Sequence, residues 1–380
     1  MSLETGTTLN SLINLETIKL KKVNLAIFGH GNVGGVLIDQ IVQKQSDISK
    51  RRQIQLNIFA IANSSTVLLD KTGFAENWRA EKAHEALPYS PEQVIEYAKK
   101  HSLENLIVVD NTASDTFVAH YSTFVKHKFH LISSNKIANT QSLQQYDELR
   151  AQLRIHEKQY LYETNVGAGL PLIDTIKMLH HSGENITRIR GVFSGSLSYI
   201  FNIFSESNES FSTVLLRAIE SGYTEPDARE DLSGNDVGRK LLILARELDL
   251  HCELEDVTIQ NLVPKELRKL TGKQFLEQVS SLDVAYHIKK KNLKKDKVLR
   301  YVADLHGDLS KDDGAVMNVS LQPVAKNSMI GQLKGSDSIF EIYTESYGAN
   351  PIVIQGAGAG ATVTARGVFG DILRLSEKLN

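Results

Sequence analysis

Residues 22–44 read KVNLAIFGHGNVGGVLIDQIVQK: an apolar run of strand length, a glycine-rich turn, and apolar side chains at helical spacing. Gly29, Gly31 and Gly34 have the spacing G-x-G-x-x-G. In that motif the first glycine permits a tight turn, the second lets the backbone approach a pyrophosphate, and the third allows close helix–strand packing. The stretch predicts a dinucleotide-binding turn that includes Asn32 and Val33 at the helix N-terminus. The alternative is a glycine-rich turn that serves packing only.

Strands and helices alternate after this unit. The predicted strands are 54–62, 106–110 and 130–134, and the predicted helices are 92–100 and 115–127. Several of the strands are apolar throughout, which is typical of a parallel sheet covered on both faces. We therefore predict an α/β fold whose first part is a doubly wound, Rossmann-type nucleotide-binding domain. It follows a polar leader at 1–20 and comprises residues 21–150 together with the last helix, in 356–380.

The pattern changes in the second half of the chain. Predicted strands lie at 160–166, 186–193, 298–305, 315–324, 339–343 and 351–355, and predicted helices at 170–181, 198–205, 211–221, 235–248 and 362–379. Turn residues separate the later strands, which favours a mixed or largely antiparallel sheet. Residues 151–355 are accordingly predicted to form an α+β domain for substrate binding and dimerisation.

Composition excludes several classes of protein. The 380 residues carry a formal net charge of −2 and are 41% hydrophobic and 23% charged, as in an ordinary globular protein. We expect neither a nucleic-acid partner nor a membrane partner. Cys252 is the single cysteine, so an intrachain disulfide is impossible. The leader lacks the basic start and apolar core of a signal peptide, and the cytoplasm is the expected compartment.

The end of the second strand bears on the choice of cofactor. A carboxylate at this place would accept the ribose 2′-hydroxyl and repel a 2′-phosphate. The sequence has Asn63, Ser64 and Ser65 instead, with no adjacent arginine. The choice between NAD and NADP stays open, with a preference for NADP.

Residues 222–240, GYTEPDAREDLSGNDVGRK, concentrate acidic side chains before a long helix. Asp236 and Lys240 are four positions apart and share a face of that helix. They lie in an active centre if the preceding loop wraps a substrate. The alternative is an exposed, capped helix start with an ordinary ion pair.

This segment closely resembles the signature of homoserine dehydrogenases. Further motifs match in the right order: ENW at 76–78, DNTAS at 110–114, SSNK at 133–136, YETNVGAGLP at 162–171, GVFSGSLSYIF at 191–201, LKGSDS at 333–338 and GAGAGATVTARGV at 356–368. The resemblance covers almost all of the chain from Lys21 onward. It is nearest to the dehydrogenase portion of bifunctional aspartate kinase–homoserine dehydrogenases and to short monofunctional enzymes. It implies reversible NAD(P)-dependent hydride transfer between L-homoserine and L-aspartate 4-semialdehyde.

The resemblance also implies roles for individual residues. Lys240 would be the proton donor and acceptor. Asp236 would contact the substrate and also orient Lys240. Lys136 would be a second active-site lysine that also borders the cofactor. A lysine suits this task when burial or a nearby cation lowers its pKa. Glu225 would bind the substrate ammonium with help from Asp231. Ser196 is a further candidate substrate contact.

Two more sets of residues follow from the resemblance. The segment at 162–171 matches a site in which mostly backbone carbonyls bind sodium, and the matching residues are Glu163, Val166, Ala168 and Leu170. The alternative is a glycine-rich strand-to-helix turn. Further cofactor contacts would be Asn63, Asn111, Thr112, Gly222 and Gly360.

Other functions remain as alternatives. One is another NAD(P)-dependent dehydrogenase of small amino or hydroxy acids, although the acylating type would need a nucleophilic cysteine and Cys252 lies outside every motif. Another is a non-catalytic dinucleotide-binding regulator, which the presence of Lys136, Asp236 and Lys240 disfavours. A homodimer is expected, because strands from Val298 onward give the second domain edges that a monomer must protect.

Overall fold

A computed structural model describes residues 20–80 and 87–379, so the polar leader predicted at 1–20 lies almost wholly outside the described residues. The first part of the chain contains these elements: β1 (Lys21–Phe28), α1 (Asn32–Arg52), β2 (Ile54–Ala62), β3 (Thr66–Leu69), β4 (Leu87–Pro88), α2 (Pro91–Lys100), β5 (Leu106–Asp110), α3 (Asp115–Val118), α4 (Tyr121–Lys126), β6 (His130–Ser133), α5 (Leu143–Ile155) and β7 (Tyr160–Leu161). They form a seven-stranded sheet in the order β4-β3-β2-β1-β5-β6-β7.

The five strands from β2 to β7 in this order are parallel, and their carboxyl ends meet along one edge. Phe28 lies opposite both Ala62 and Asp110, and Asp110 lies opposite Ser133. The last six residues of β1 are buried, as the apolar sequence predicts for a strand covered on both faces. The shared edge therefore gathers the loops that follow β1, β2, β5 and β6, which is where open parallel sheets bind ligands. The predicted Rossmann-type fold is confirmed.

The second part of the chain adds these elements: α6 (Ile173–His181), β8 (Ile186–Val192), α7 (Gly195–Glu206), α8 (Phe211–Glu220), α9 (Ala228–Ser233), α10 (Asn235–Arg246), β9 (Val257–Ile259), α11 (Gly272–Glu277), α12 (Asp283–Lys291), β10 (Lys297–Gly307), β11 (Ala315–Ala325), β12 (Asp337–Thr344) and β13 (Ile352–Ala357). Their sheet has the order β13-β12-β8-β10-β11-β9. Its pairings are antiparallel except for β9 with β11, so the expected mixed, largely antiparallel sheet is confirmed.

The last helix, α13 (Ala361–Lys378), returns to the first sheet and packs against α1. Its buried Val368, Ile372 and Leu375 belong to the same apolar cluster as Ile27 of β1 and Leu37 of α1. Burial of such an apolar stripe is the main stabilising contribution of an amphipathic helix.

Two predicted elements are wrong in detail. The strand predicted at 160–166 ends after Leu161, and Glu163–Asn165 form a 3-10 turn because the Glu163 carboxylate accepts the backbone N–H groups of Ile173 and Asp174 at the start of α6. The helix predicted at 115–127 is split into α3 and α4. Among the described residues, no helix is both long enough and apolar enough to cross a membrane.

Candidate active site

The glycine-rich turn after β1 has the close contacts that its spacing predicts. Gly29 has a φ of 79°, in the region that favours glycine, and its N–H donates to the carbonyl of Ala62 at 2.9 Å. A Cβ on Gly34 would lie 1.8 Å from the Gly29 carbonyl oxygen, so only glycine lets α1 pack this closely. A Cβ on Gly31 would meet nothing within 4 Å. The backbone at Gly31 is therefore open to a ligand such as a pyrophosphate.

A cavity of about 470 Å³ adjoins this turn at the carboxyl edge of the sheet. Its walls are Phe28, Gly29, His30, Gly31, Asn63, Ser64, Tyr89, Thr112, Ser114, Thr116, Phe117 and His120. Of the predicted cofactor residues, Gly29, Gly31, Asn63 and Thr112 line it. Asn111 follows β5 beside the turn, and its buried Nδ2 has no partner among the described residues. The glycine turn, the cavity and this buried donor fit a bound dinucleotide.

A cluster of three charged side chains lies where the two parts of the chain meet. Lys240 Nζ is 2.8 Å from one carboxylate oxygen of Asp236, and Lys136 Nζ is 3.3 Å from the other. Lys240 also donates to the backbone carbonyl of Phe193, at the end of β8, at 2.8 Å. Gly234, with a φ of 76°, ends α9 and begins α10, which places Asp236 in the first turn of α10 and Lys240 one turn later. The predicted trio thus forms one cluster.

The members of this cluster differ in exposure, and together they carry a net charge. Lys240 is 8% exposed, whereas about half of the Asp236 side chain, 49%, is accessible. Desolvation favours the neutral form of Asp236, but the ammonium groups of Lys240 and Lys136 outweigh it and hold the pKa of that carboxyl well below its ordinary value. Two ammonium groups around one carboxylate leave a net positive charge. Such a site can stabilise and protonate a developing alkoxide.

A second group of predicted residues surrounds this cluster. One carboxylate oxygen of Asp231 accepts the hydroxyl of Ser196 at 2.6 Å, and the other accepts the backbone N–H of Glu225 at 2.9 Å. The Glu225 side chain remains accessible, but its partial desolvation and the negative charges of Asp231 and other nearby carboxylates raise its pKa. Both oxygens of Asp231 are therefore engaged in holding Ser196 and the Glu225 loop. No described residue donates to the carboxylate of Glu225, which is therefore left for a ligand.

The loop that carries Glu225 is fixed by two residues that the sequence analysis did not identify. Tyr223 stacks on Tyr199 of α7, with ring centroids 4.1 Å apart and an interplanar angle of 19°. Gly222, a predicted cofactor residue, has a φ of 71° at the end of α8, and a Cβ there would meet nothing within 4 Å. An aromatic residue next to a glycine in an acidic segment is the signal that could have identified this anchor.

The loop of Lys136 is held by a buried polar network that was also missed. Asp110, at the end of β5, accepts hydrogen bonds from the Tyr121 hydroxyl at 2.6 Å, Asn135 Nδ2 at 3.1 Å and the Thr112 N–H at 2.7 Å. The same carboxylate therefore orders the cofactor-side loop after β5 and the loop that carries Lys136. Burial raises the pKa of Asp110, and these hydrogen bonds oppose that effect.

The segment predicted to bind sodium is a turn of positive-φ residues. Gly167 has a φ of 79° and Ala168 a φ of 52°. The carbonyls of Val166 and Ala168 accept from no described donor, whereas the carbonyl of Leu170 accepts the N–H of Leu172 at 2.9 Å. The side chain of Glu163 is occupied at the start of α6. A cation at this turn would therefore use the backbone oxygen of Glu163.

The remaining predicted cofactor residues lie outside the walls of the cavity. Gly360, with a φ of 119°, precedes the first turn of α13. Asn32 and Val33 begin α1, and Lys136 lies in the charged cluster. The cavity thus accounts for part of the predicted cofactor set.

Comparison with known families gives matches along most of the chain. Residues 171–373 match the family model described as homoserine dehydrogenase, and residues 29–163 match the one described as the NAD binding domain of homoserine dehydrogenase.

Individual relatives agree with these matches. A bifunctional aspartokinase/homoserine dehydrogenase 2 from Zea mays is 40% identical over 366 residues, which are 95% of this chain and 39% of that protein. A homoserine dehydrogenase from Emericella nidulans is 35% identical, over 94% of this chain and 99% of its own length. The crystal structure of a Candida auris protein of unknown function has a TM-score of 0.84 and 32% identity, covering 94% of this chain and 99% of that one. This chain spans about two fifths of the length of the bifunctional relatives.

Proposed function

We propose, since this chain belongs to the homoserine dehydrogenase family, that it catalyses reversible hydride transfer between L-homoserine and L-aspartate 4-semialdehyde with a nicotinamide dinucleotide. The observation that carries the proposal is the cluster of Lys240, Asp236 and Lys136 beside the Glu225 loop. It combines a proton donor with a carboxylate that can bind an amino group. Reduction of an amino-acid aldehyde needs the first for the aldehyde oxygen and the second for the amino group.

The first step is binding of the dinucleotide. The glycine turn at Gly29 and Gly31, the N-terminus of α1 and the polar side chains of Asn63, Asn111 and Thr112 would hold it. When bound, the dinucleotide supplies or accepts the hydride. The protein residues then have to orient the substrate and move one proton.

Lys240 is the proposed proton donor. In the direction of reduction, its ammonium group gives a proton to the carbonyl oxygen as the hydride reaches the carbonyl carbon, which leaves an alcohol and a neutral amine. In the direction of oxidation, the neutral amine takes the proton from the hydroxyl. The carboxylate of Asp236, 2.8 Å away, orients the Lys240 ammonium group, and Lys136 adds positive charge at the oxygen.

Glu225 is the proposed partner of the substrate ammonium. Its carboxylate lies on the exposed loop that Asp231 fixes through the Glu225 N–H. Asp231 also orients the Ser196 hydroxyl, which can donate to or accept from the substrate's polar groups. A charge-assisted contact of this kind distinguishes an amino acid from a plain hydroxy acid.

Sodium is the proposed ion of the turn at Val166 and Ala168. Two carbonyls without described donors and a positive-φ backbone support it, because hard monovalent cations bind oxygen ligands. Its proposed role is structural, since the turn lies between the loop of Lys136 and helix α13: a Cβ on Gly367 of α13 would lie 3.2 Å from the Ala168 oxygen. Melting temperatures in sodium and in tetramethylammonium salts test it.

A homodimer formed through the second sheet is the proposed assembly. β13 is an edge strand that pairs only with β12 among the described strands, and a long unprotected edge is a site for pairing with another chain. Light scattering at micromolar concentration tests it, and a strict monomer would contradict it. The cytoplasm is the proposed compartment, on the sequence alone.

Initial rates of dinucleotide reduction with L-homoserine test the proposed activity. L-Serine, L-threonine and 4-hydroxybutyrate are the comparison substrates. 4-Hydroxybutyrate is informative because it keeps the hydroxyl-bearing carbon chain of homoserine and lacks the ammonium group that Glu225 would bind. We expect turnover of homoserine and a much lower kcat/KM for 4-hydroxybutyrate. Equal rates with both would mean that the site does not recognise an amino acid, and no rate with any of them would contradict the proposed function.

A further inference from the structure

The loop after β6 carries Lys136 between residues whose backbone is held in place. The side chain of Asn135 is buried, and its Oδ1 accepts the N–H of Ile137 at 3.0 Å, which closes a turn across Lys136. The carbonyl of Lys136 accepts the N–H of Asn139 at 3.0 Å, where a 3-10 turn begins. The direction in which the Lys136 side chain leaves the loop toward Asp236, 3.3 Å from its Nζ, therefore depends on Asn135.

The NH₂ group of the same amide reaches the neighbouring strand and the loop that follows it. It donates to the carboxylate of Asp110, the last residue of β5, at 3.1 Å and to the carbonyl of Ser114 at 3.0 Å. Ser114 and Thr112 line the cavity beside the glycine-rich turn, and the N–H of Thr112 donates to the same Asp110 carboxylate. Asn135 thus joins the loop of Lys136 to the loop on the cofactor side.

Asparagine suits this position because of the number and kind of its hydrogen-bonding groups. Its oxygen accepts one N–H while its NH₂ group donates to two oxygens, and these partners determine the orientation of the amide. An aspartate would have no donor and would place a second carboxylate beside Asp110, and a serine has a single donor. The bond to Asp110 is charge-assisted, so it is stronger than a bond between neutral groups.

We infer that Asn135 is a positioning residue for the reaction: it holds Lys136 within reach of Asp236 and of the reacting oxygen. The inference rests on the proposed function, in which Lys136 adds positive charge where the alkoxide develops. In the described part of the chain, no hydrogen bond joins the Asn135 side chain to Asp236 or Lys240, so its effect on the charged cluster passes through Lys136. A misplacement of about 1 Å at an active site can lower a rate about a hundredfold, so loss of this anchor should be measurable.

A double-mutant cycle on kcat/KM for homoserine, measured at saturating dinucleotide, tests the inference. Its variants are Asn135→Ala, Lys136→Met and the two combined. Asn57→Ala is the matched control, because Asn57 of β2 is also buried and its NH₂ group also donates to a side-chain oxygen, that of Asn24 at 2.7 Å, and to a carbonyl, that of Lys71 at 3.2 Å. Asn135→Ser, which keeps one donor, replaces the alanine variant in the cycle if the latter does not fold.

We expect Asn135→Ala to lower kcat/KM roughly ten- to a hundredfold when Lys136 is present and less than about twofold in Lys136→Met, where no lysine remains to be misplaced. Asn57→Ala should lower the melting temperature and have the same small effect on kcat/KM in both backgrounds. Equal losses from Asn135→Ala in both backgrounds would show that Asn135 only supports the fold, and no loss in either would show that Lys136 needs no anchor. Both results overturn the inference alone, whereas absence of homoserine turnover by the wild type would refute the proposed function on which it rests.

Discussion

Replacing Lys240 by methionine separates catalysis from binding and from stability. Methionine keeps the apolar stem of this 8% exposed side chain and removes the ammonium group. The variant loses the hydrogen bond to the Phe193 carbonyl and one partner of Asp236, which keeps Lys136 at 3.3 Å. A lost hydrogen bond and a half-exposed ion pair together cost about 2 kcal/mol of unfolding free energy. A domain of ordinary stability survives that loss.

The catalytic loss should be larger than the loss of stability. A positioned general acid contributes roughly 10²–10⁴ in rate, which corresponds to about 3–5 kcal/mol in the activation barrier. Lys240 does not line the cavity beside the glycine-rich turn, so affinity for the dinucleotide should stay within about twofold of the wild type, far below the roughly tenfold effect of a lost charged contact.

The assay is steady-state homoserine oxidation, with dinucleotide affinity from cofactor fluorescence and stability from thermal melting. Lys177→Met is the control. Lys177 is also paired with a carboxylate, that of Glu247 at 3.2 Å, and Glu247 directly follows the last residue of α10. We expect near-normal kcat in the control and at least a hundredfold loss in Lys240→Met. If Lys240→Met kept more than about a tenth of the wild-type kcat, or lost dinucleotide binding in parallel with activity, Lys240 would not be the proton donor.

Three further perturbations test other parts of the site. Glu225→Gln should raise KM for homoserine by roughly ten- to a hundredfold with little change in dinucleotide affinity, because a charge-assisted contact to the ammonium becomes a neutral one; Glu230→Gln is the control on the same segment. Tyr199→Ala should raise KM for homoserine several-fold, since a stacked pair contributes about 0.5–1.5 kcal/mol, while Tyr199→Phe should behave as wild type; equal effects of the two would show that stacking on Tyr223 does not hold the loop. The pKa of Asp236 is lowered by folding, so its contribution to stability is present above the unfolded carboxyl pKa of about 3.9 and is lost as pH falls below that value. The difference in melting temperature between the wild type and Asp236→Asn should therefore stay constant down to about pH 5 and narrow as pH falls through about 4 and lower. A difference that does not narrow in that range would contradict the assignment.

Much of the fold could be predicted from local patterns. The apolar runs that became β1, β2, β5 and β6 agree with the structure to within one residue at each end. The exceptions depend on side-chain contacts that apolar periodicity does not show. The strand predicted at 160–166 is short because Glu163 turns to hold the start of α6, a contact between positions ten residues apart. Hairpin β2–β3 was not predicted, because the Asn63 side chain closes it.

The sequence by itself determined which chemical groups are available and which of them are near each other along one element. The glycine spacing 29, 31 and 34 and the four-residue spacing of Asp236 and Lys240 are local, so backbone geometry alone makes them informative. Only the tertiary structure brought Lys136, from the edge of the first sheet, to 3.3 Å from Asp236 in the second part of the chain. It also decided that both oxygens of Asp231 are engaged, one of them by Ser196 from a distant segment, while the carboxylate of Glu225 is left for a ligand. The physical reason is that a hydrogen bond or ion pair depends on distances of about 3 Å, which the packing of distant segments sets and local sequence does not.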